Sequence, residues 1–469
     1  ADDLGYNDIS TNGNKLIETT HIDQIAKNGI NFTRAYATAS VCAPSRAAFL
    51  TGNYQHRYGF EFLPDLFNLS PRVRKADFNR FGHKDNFPGW YEKSVPINQR
   101  GLDPYVNTIG DYLKKSGYKT SIIGKWHLGS HSKYNARNFG FDQHVGITGA
   151  ASLYAPLNKE KIIESIHKWD FADFITRQTS KYYIEKNGQK IVPKNSNYLT
   201  DTFTKKAIEF IKTNKNNSFF LHLSHMAPHG PFQAQKRYYD MFSHIKDHNK
   251  RVYYAMIKNL DDSIGKIRST LKEEGLSENT IIIFISDNGG ATYTRATDNS
   301  PYIGGKMSNF EGGTIVPMMM EWPDKIKGPK IYPNMVSLLD IVPTILDAIN
   351  SPSKDNKFDG VSLLPYINSN DKIPHKELFW KTGYVKSIIS DNFKLHINEK
   401  EGFILLNKID EDPSEKNNLI LTYPEKAEEL KEKWNIWNKT LKKSKWKSNA
   451  DVSIPLTNSK DSKRYYFPW

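Results

Sequence analysis

The stretch Val41-Cys42-Ala43-Pro44-Ser45-Arg46-Ala47-Ala48-Phe49-Leu50-Thr51-Gly52 holds the only cysteine in a chain of 469 residues. A lone cysteine forms no internal disulfide, so its use is packing, intermolecular chemistry or reactivity. Pro44 and Ser45 suit the start of a helix, and Arg46 to Leu50 read as its first turns. Cys42 is then expected just before a helix N-terminus, where amide dipoles and Arg46 stabilise negative charge. A small buried residue ahead of a helix is the plainer reading of the same pattern.

Around this stretch, the chain is long enough for one large α/β domain and a smaller one. Hydrophobic residues at 38% and aromatics at 13% supply cores, and 25% charged residues is ordinary for a soluble protein. The longest apolar runs, Ile281 to Ile285 and Val316 to Met320, are strand-sized, so no membrane span is expected. A net charge of +14 favours polyanionic partners, either nucleic acid or a sulfated or carboxylated polysaccharide. No nucleic-acid-binding module is recognisable, so nucleic acid is not expected as a partner. No signal peptide is in view at Ala1-Asp2-Asp3-Leu4-Gly5-Tyr6.

Taken in order, Asp2 and Asp3 are adjacent carboxylates that repel, comfortable only in solvent or on a cation. Ile22, Ile25 and Ala26 recur at helical spacing before Gly29, and Ile30-Asn31-Phe32 reads as a short strand. From about Phe60 to Arg100 no periodicity holds. There Arg72, Arg74, Lys75, Arg80 and Lys84 interleave with Phe78, Phe81, Trp90 and Tyr91, which suits either a sugar polymer or a solvated insertion. Thr108 to Ser116 is an amphipathic helix, and Lys119 to Ile123 a strand leading into Gly124-Lys125-Trp126-His127-Leu128-Gly129. Lys125 and His127 project to one side if that segment is extended. Ala150 to Tyr198 is polar and lysine-rich, with a helix or two and a hairpin at Asn187-Gly188.

A helix from Thr202 to Lys212 leads to the strand Phe219 to Ser224 and then to Ala227-Pro228-His229-Gly230-Pro231, where His229 on its own reads as a turn residue. After an amphipathic helix from Arg251 to Leu271, Thr280 to Ser286 reads as a fully buried parallel strand. It ends in Asp287-Asn288-Gly289-Gly290, either hard oxygen ligands with a pliable backbone or a plain turn. Glycines around Lys306 allow a close backbone approach to an anion. Leu378 to Lys381, Ser387 to Ser390, Phe393 to His396 and Gly402 to Leu406 are short strands of a small antiparallel sheet, and Pro424 to Lys443 is a long charged helix.

Cys42-x-Pro44-Ser45-Arg46 followed by x-x-x-Leu50-Thr51-Gly52 resembles the signature of the type I formylglycine-dependent sulfatases of the alkaline phosphatase superfamily, closest in character to bacterial polysaccharide sulfatases. Gly124 to Gly129, Pro228-His229-x-Pro231, Asp287-Asn288, the segment Gly304 to Gly313 ending in Glu311-Gly312-Gly313, and Asp412 to Leu419 resemble further segments of that family. The resemblance implies an α/β fold with a large mixed, mostly parallel sheet flanked by helices over residues 1–370, carrying insertions at about 60–100 and 150–198. It adds a C-terminal α+β subdomain with a small antiparallel sheet and a long helix over residues 371–469. A first strand ahead of Asp2 is implied as well.

The implied activity is that of a sulfuric ester hydrolase. A maturation enzyme converts Cys42 to formylglycine, whose hydrate attacks sulfur, and Arg46 holds the formylglycine oxygen. Asp2, Asp3, position 42, Asp287 and Asn288 are implied to hold a divalent metal, Ca2+ first and Mg2+ second, since the donors are hard oxygens. Lys125 and Lys306 are implied to neutralise sulfate oxygens, His229 to serve as general acid and His127 as base, with His222 and His225 structural. The substrate expected is a sulfated polysaccharide or oligosaccharide such as carrageenan, which implies a periplasmic or secreted enzyme. A phosphonate or phosphate monoester hydrolase and a non-catalytic binder of sulfated glycans remain open.

Overall fold

The computed structural model describes residues 1–64, 95–157, 160–170, 173–174, 176–177, 182–191, 197–351, 353, 356–368, 372–448, 451–459 and 461–469. The basic and aromatic residues Arg72, Arg74, Lys75, Phe78, Arg80, Phe81, Lys84, Trp90 and Tyr91 lie outside these. Among the described residues, no helix is long and apolar enough to cross a membrane.

The Thr20–Asn28 helix turns Ile22, Ile25 and Ala26 inward, as their spacing predicts, and delivers the Ile30–Phe32 strand. That strand lies antiparallel to Met318–Glu321 and parallel to Lys330–Tyr332, while Met318–Glu321 pairs antiparallel with Ile282–Ile285. A second sheet grows around Lys119–Lys125, parallel to Gln143–Ile147 on one side and to Phe219–Ser224 on the other. The hairpin Ile184–Lys186 with Gln189–Ile191 extends it. Its turn, Asn187-Gly188, takes φ of 54° and 89°, the geometry that such a pair favours. The helices Leu199–Thr213 and His248–Glu273 pack together over a core that includes Phe203, Ala207, Val252 and Leu260.

Several expectations change. Ile282–Ile285 pairs antiparallel with its neighbour, and of its residues only Phe284 is fully buried. The reason is that it and Phe219–Ser224 are outer strands of two separate sheets and line a groove of about 870 Å3 between them. Ala1 stands at the mouth of this groove: its amine donates to the Ile285 carbonyl at 2.7 Å, and the Asp2 amide donates to Ala227 at 3.2 Å. Ala1 and Asp2 thus lie between the carboxyl ends of the two strands. Ile162–Ser165, in the stretch expected to hold a helix or two, is a strand antiparallel to Phe232–Gln235, its β-branched Ile162 and Ile163 packing on the core. Cys42 opens the Cys42–Thr51 helix instead of preceding it, because extended Val41 is the N-cap.

Further along, Glu377–Thr382, Val385–Ser390, Phe393–Asn398 and Phe403–Lys408 form an antiparallel sheet in chain order. The Pro424–Lys439 helix covers it with Leu430, Trp434 and Trp437. A closing hairpin, Asp451–Pro455 with Arg464–Pro468, was not foreseen from sequence. Buried charge joins this sheet to the Glu311–Thr314 helix. Lys394 Nζ lies 2.8 Å from Glu311 and 3.1 Å from Glu415, and the Tyr36 hydroxyl donates to Glu311 at 2.7 Å. Where the chain passes between the two parts, His375 Nε2 meets Asp340 at 2.8 Å. Burial lowers the His375 pKa, but Asp340 outweighs it and the imidazole is raised above its ordinary value.

Lys394→Met leaves two buried carboxylates uncompensated and should cost about 3–5 kcal/mol in urea unfolding, whereas a loss below about 1 kcal/mol would contradict this assignment. The His375–Asp340 pair stabilises the fold fully below the unfolded imidazole value of 6.5, and that contribution disappears as pH rises through the raised folded value. Wild-type melting temperature should therefore fall more steeply than that of His375→Gln between about pH 6 and pH 9.

Candidate active site

Strand ends and turns from distant parts of the chain bring the singled-out residues to one buried place. Asp2 is fully buried; its Oδ2 takes Lys125 Nζ at 2.6 Å, and its Oδ1 accepts from the Cys42 thiol at 3.3 Å. Asp3 Oδ2 takes Lys306 Nζ at 2.7 Å and lies 3.6 Å from His229 Nε2, while its Oδ1 accepts from Asn288 Nδ2 at 2.8 Å. Asp287 receives Arg46 Nε and Nη2, both at 2.8 Å. Arg46 Nη1 donates to Ser224 Oγ at 2.6 Å and to the Lys125 carbonyl at 3.1 Å. One guanidinium thereby joins the Cys42–Thr51 helix to the ends of the Lys119–Lys125 and Phe219–Ser224 strands.

Electrostatics follows from this packing. Burial pushes the Asp2 and Asp3 carboxyls upward, but Lys125 and His229 at Asp2, and Lys306 and His229 at Asp3, outweigh it and hold both below the usual range. Burial opposes charge on Lys306, yet Asp3 keeps its ammonium protonated well past the ordinary value. The Cys42 thiol moves the other way: burial, then Asp2, push it well up. The helix dipole and Arg46, expected to favour negative charge there, are therefore outweighed, and the unmodified sulfur is a thiol.

His127 is buried, and desolvation together with Lys125, Arg46 and Lys306 keeps its imidazole uncharged. It does not share one extended segment with Lys125, because His127 adopts φ of 62°. His229 Nδ1 lies 2.5 Å from the Gly230 carbonyl, which requires that nitrogen to donate and leaves Nε2 turned toward Asp3. Burial and Lys306 lower the His229 pKa, and Asp3 and Asp2 pull against them. His222 packs edge-on to Phe49 and His225 bonds Ser263 at 2.9 Å; burial lowers each to about 3.

Asp2, Asp3, Cys42 and His229 each offer a ligand atom within 4.8 Å of the others. Asn288 Oδ1 is buried with no hydrogen-bond partner among the described residues. Hard oxygens converging beside an orphaned carbonyl oxygen fit a divalent cation. Sequence reasoning missed Ser224, which braces Arg46, and Tyr154, whose hydroxyl donates to the His229 carbonyl at 2.9 Å. Ser224 had a faint signal as the last residue of a strand, and Tyr154 had none.

The sulfatase family profile matches residues 1–351. The chain is 28% identical over 405 residues to N-acetylgalactosamine-6-sulfatase of Mus musculus, covering 84% of this chain and 70% of that protein. Arylsulfatase H of Homo sapiens is 28% identical over 450 residues, covering 82% and 74%. Among solved structures, Ps i-CgsB in complex with k-i-k-neocarrahexaose superposes with a TM-score of 0.78 at 28% identity, covering 95% of this chain and 92% of that one. The chain belongs to the sulfatase family of sulfuric ester hydrolases, which generally uses a formylglycine and a divalent metal.

Proposed function

We propose that this sulfatase removes sulfate from a sulfated carbohydrate, a polysaccharide or oligosaccharide such as carrageenan, outside the cytoplasm. The observation that carries the reading is the meeting of Lys125, Lys306 and His229 at the Asp2–Asp3 pair beside Cys42. The glycan named with one relative's activity and the oligosaccharide bound by a structural neighbour support the substrate class.

Position 42, once a maturation enzyme has oxidised Cys42 to formylglycine, supplies a hydrated aldehyde as nucleophile toward sulfur. Asp2, Asp3, Asp287 and Asn288 would hold the cation, calcium before magnesium, which supplies fixed positive charge to polarise oxygen. The chain's own residues do the rest. Lys125 and Lys306 leave their carboxylates to meet the equatorial sulfate oxygens, where charge grows as the S–O bond breaks. His229 gives its Nε2 proton to the departing sugar oxygen, and an anionic ester beside it offsets the lowering by burial. His127, uncharged, takes the proton of the second hydroxyl at position 42, whereupon the carbon–oxygen bond to the transferred sulfate breaks, sulfate leaves and the aldehyde is restored. Arg46 stays paired to Asp287 and fixes the start of the helix that carries position 42.

The first test is the mass of the peptide containing Cys42, on protein co-expressed with a formylglycine-generating enzyme, together with sulfate release from a panel of sulfated glycans and aryl sulfates. Formylglycine with glycan-derived sulfate is the expected result; matured protein that releases none would sink the proposal. Lys125→Ala and Lys306→Ala should each lower kcat by roughly 10²–10³, and Cys42→Ala should abolish release. Chelation should stop turnover, with calcium restoring it better than magnesium.

A further inference from the structure

Beside the catalytic cluster stands a second group of residues that the mechanism leaves unused. Trp169, from the insertion at about 150–198, is 39% exposed, and its indole N–H donates to the Tyr293 carbonyl at 3.1 Å. His167 stacks on the indole with ring centroids 5.1 Å apart at 19°, and Asn249 fixes His167 through a 2.7 Å bond to its Nε2. Over the same indole lies the Arg295 guanidinium, its carbon 4.4 Å from the ring centroid. Arg295 ends the short turn Thr292–Thr294 with φ of 61°. That turn follows directly on Asp287-Asn288-Gly289-Gly290, and the Gly290 carbonyl accepts the Lys306 amide at 3.0 Å.

The Arg295 amide donates to the Thr292 carbonyl at 2.9 Å, but its guanidinium makes no ion pair or hydrogen bond among the described residues. Arg464, on the closing hairpin, comes close to the same turn: Thr292 donates to the Pro455 carbonyl at 2.6 Å, and Pro455 pairs with Arg464. Arg464 donates to Ser453 and likewise meets no carboxylate among the described residues. Burial and the nearby Arg295 both lower its pKa, a sign that the two cations repel. Stacking on the indole holds the Arg295 guanidinium in orientation, and it and Arg464, neither meeting a carboxylate among the described residues, together suit an oxyanion with two or more acceptor oxygens.

We infer that Arg295, backed by Trp169, and Arg464 form a second anion subsite at the rim of the active site, which takes a sulfate or carboxylate on a sugar unit neighbouring the one that is desulfated. The inference rests on the sulfated-carbohydrate reading and narrows it to substrates with a further negative charge near the scissile ester. The first sulfate belongs to Lys125, Lys306 and His229, while the second sets which glycan is held.

The test uses matured, metal-loaded enzyme and three matched disaccharides: one with a single sulfate, one with a second sulfate on the neighbouring sugar, and one with a carboxylate there. Wild type should prefer the doubly anionic members through a lower KM. Arg295→Ala and Arg464→Ala should each raise that KM by about tenfold with a much smaller change in kcat, erasing the preference, and Arg295→Lys should fall between. Whichever second group gives the larger effect identifies the anion. Equal KM for all three substrates in wild type would overturn the subsite, as would a uniform loss across them in both Ala variants with unchanged melting temperature. Wild-type release from the singly sulfated disaccharide tests the underlying reading separately; no release from any member would remove both.

Discussion

Three carboxylates buried within one small volume would not tolerate one another without compensation, and Arg46 is the group that makes the arrangement possible. Its guanidinium meets Asp287 through two nitrogens, lies 3.7 Å from Asp2 and braces Ser224 and the Lys125 carbonyl. A lysine could neutralise charge there but could not serve these directions at once from a single planar group. The fork therefore fixes the spacing of two strand ends and one helix, and Lys125 and Lys306 settle on the remaining carboxylates. Removing one partner of such a set leaves an uncompensated charge, which costs more than the set contributes when intact.

Much of this was legible from local pattern. Ile22, Ile25 and Ala26, the Asn187-Gly188 turn and the run of short strands after Leu378 obey periodicities and turn preferences that neighbours in sequence control. The site residues were legible for another reason, since Cys42, Arg46, Lys125, His127, His229, Asp287, Asn288 and Lys306 each sit in a short motif. What sequence did not disclose depends on distant partners. The antiparallel pairing of Ile282–Ile285 is set by Met318–Glu321, and the positive φ of His127 by the turn it must make after leaving a buried strand. The raised Cys42 thiol depends on burial by the fold and then on Asp2, forty positions earlier, neither of which a helix-dipole argument contains. Tyr154, Trp169 and Arg295 carry no motif at all and gain meaning only from what the fold sets beside them.

The C-terminal sheet is bound to this site by its chemistry as well as by area. Lys394 reaches Glu311, which opens the helix after the Lys306 loop, and Glu415 accepts the Glu311 amide at 2.6 Å. Burial pushes Glu415 up to about 7, so this junction holds more charge than it can easily solvate. The segment bearing Lys306 is thus anchored from behind by a different part of the chain. The closing hairpin reaches the same region through Thr292 and Pro455.

The burial of Cys42, only 2% exposed within a helix whose every residue is buried, bears on the order of events in the life of the molecule. On the proposed maturation, no enzyme could grasp that sulfur once the helix is packed, so the oxidation would have to precede folding. The contacts that close over it are remote in sequence, Lys306 to Asp3 spanning 303 positions and Arg46 to Asp287 spanning 241. Chains whose decisive contacts are so distant fold slowly, because long loops must close before any contact rewards them. The topology that hides Cys42 therefore also delays its concealment, leaving newly made chain an interval in which it can be modified.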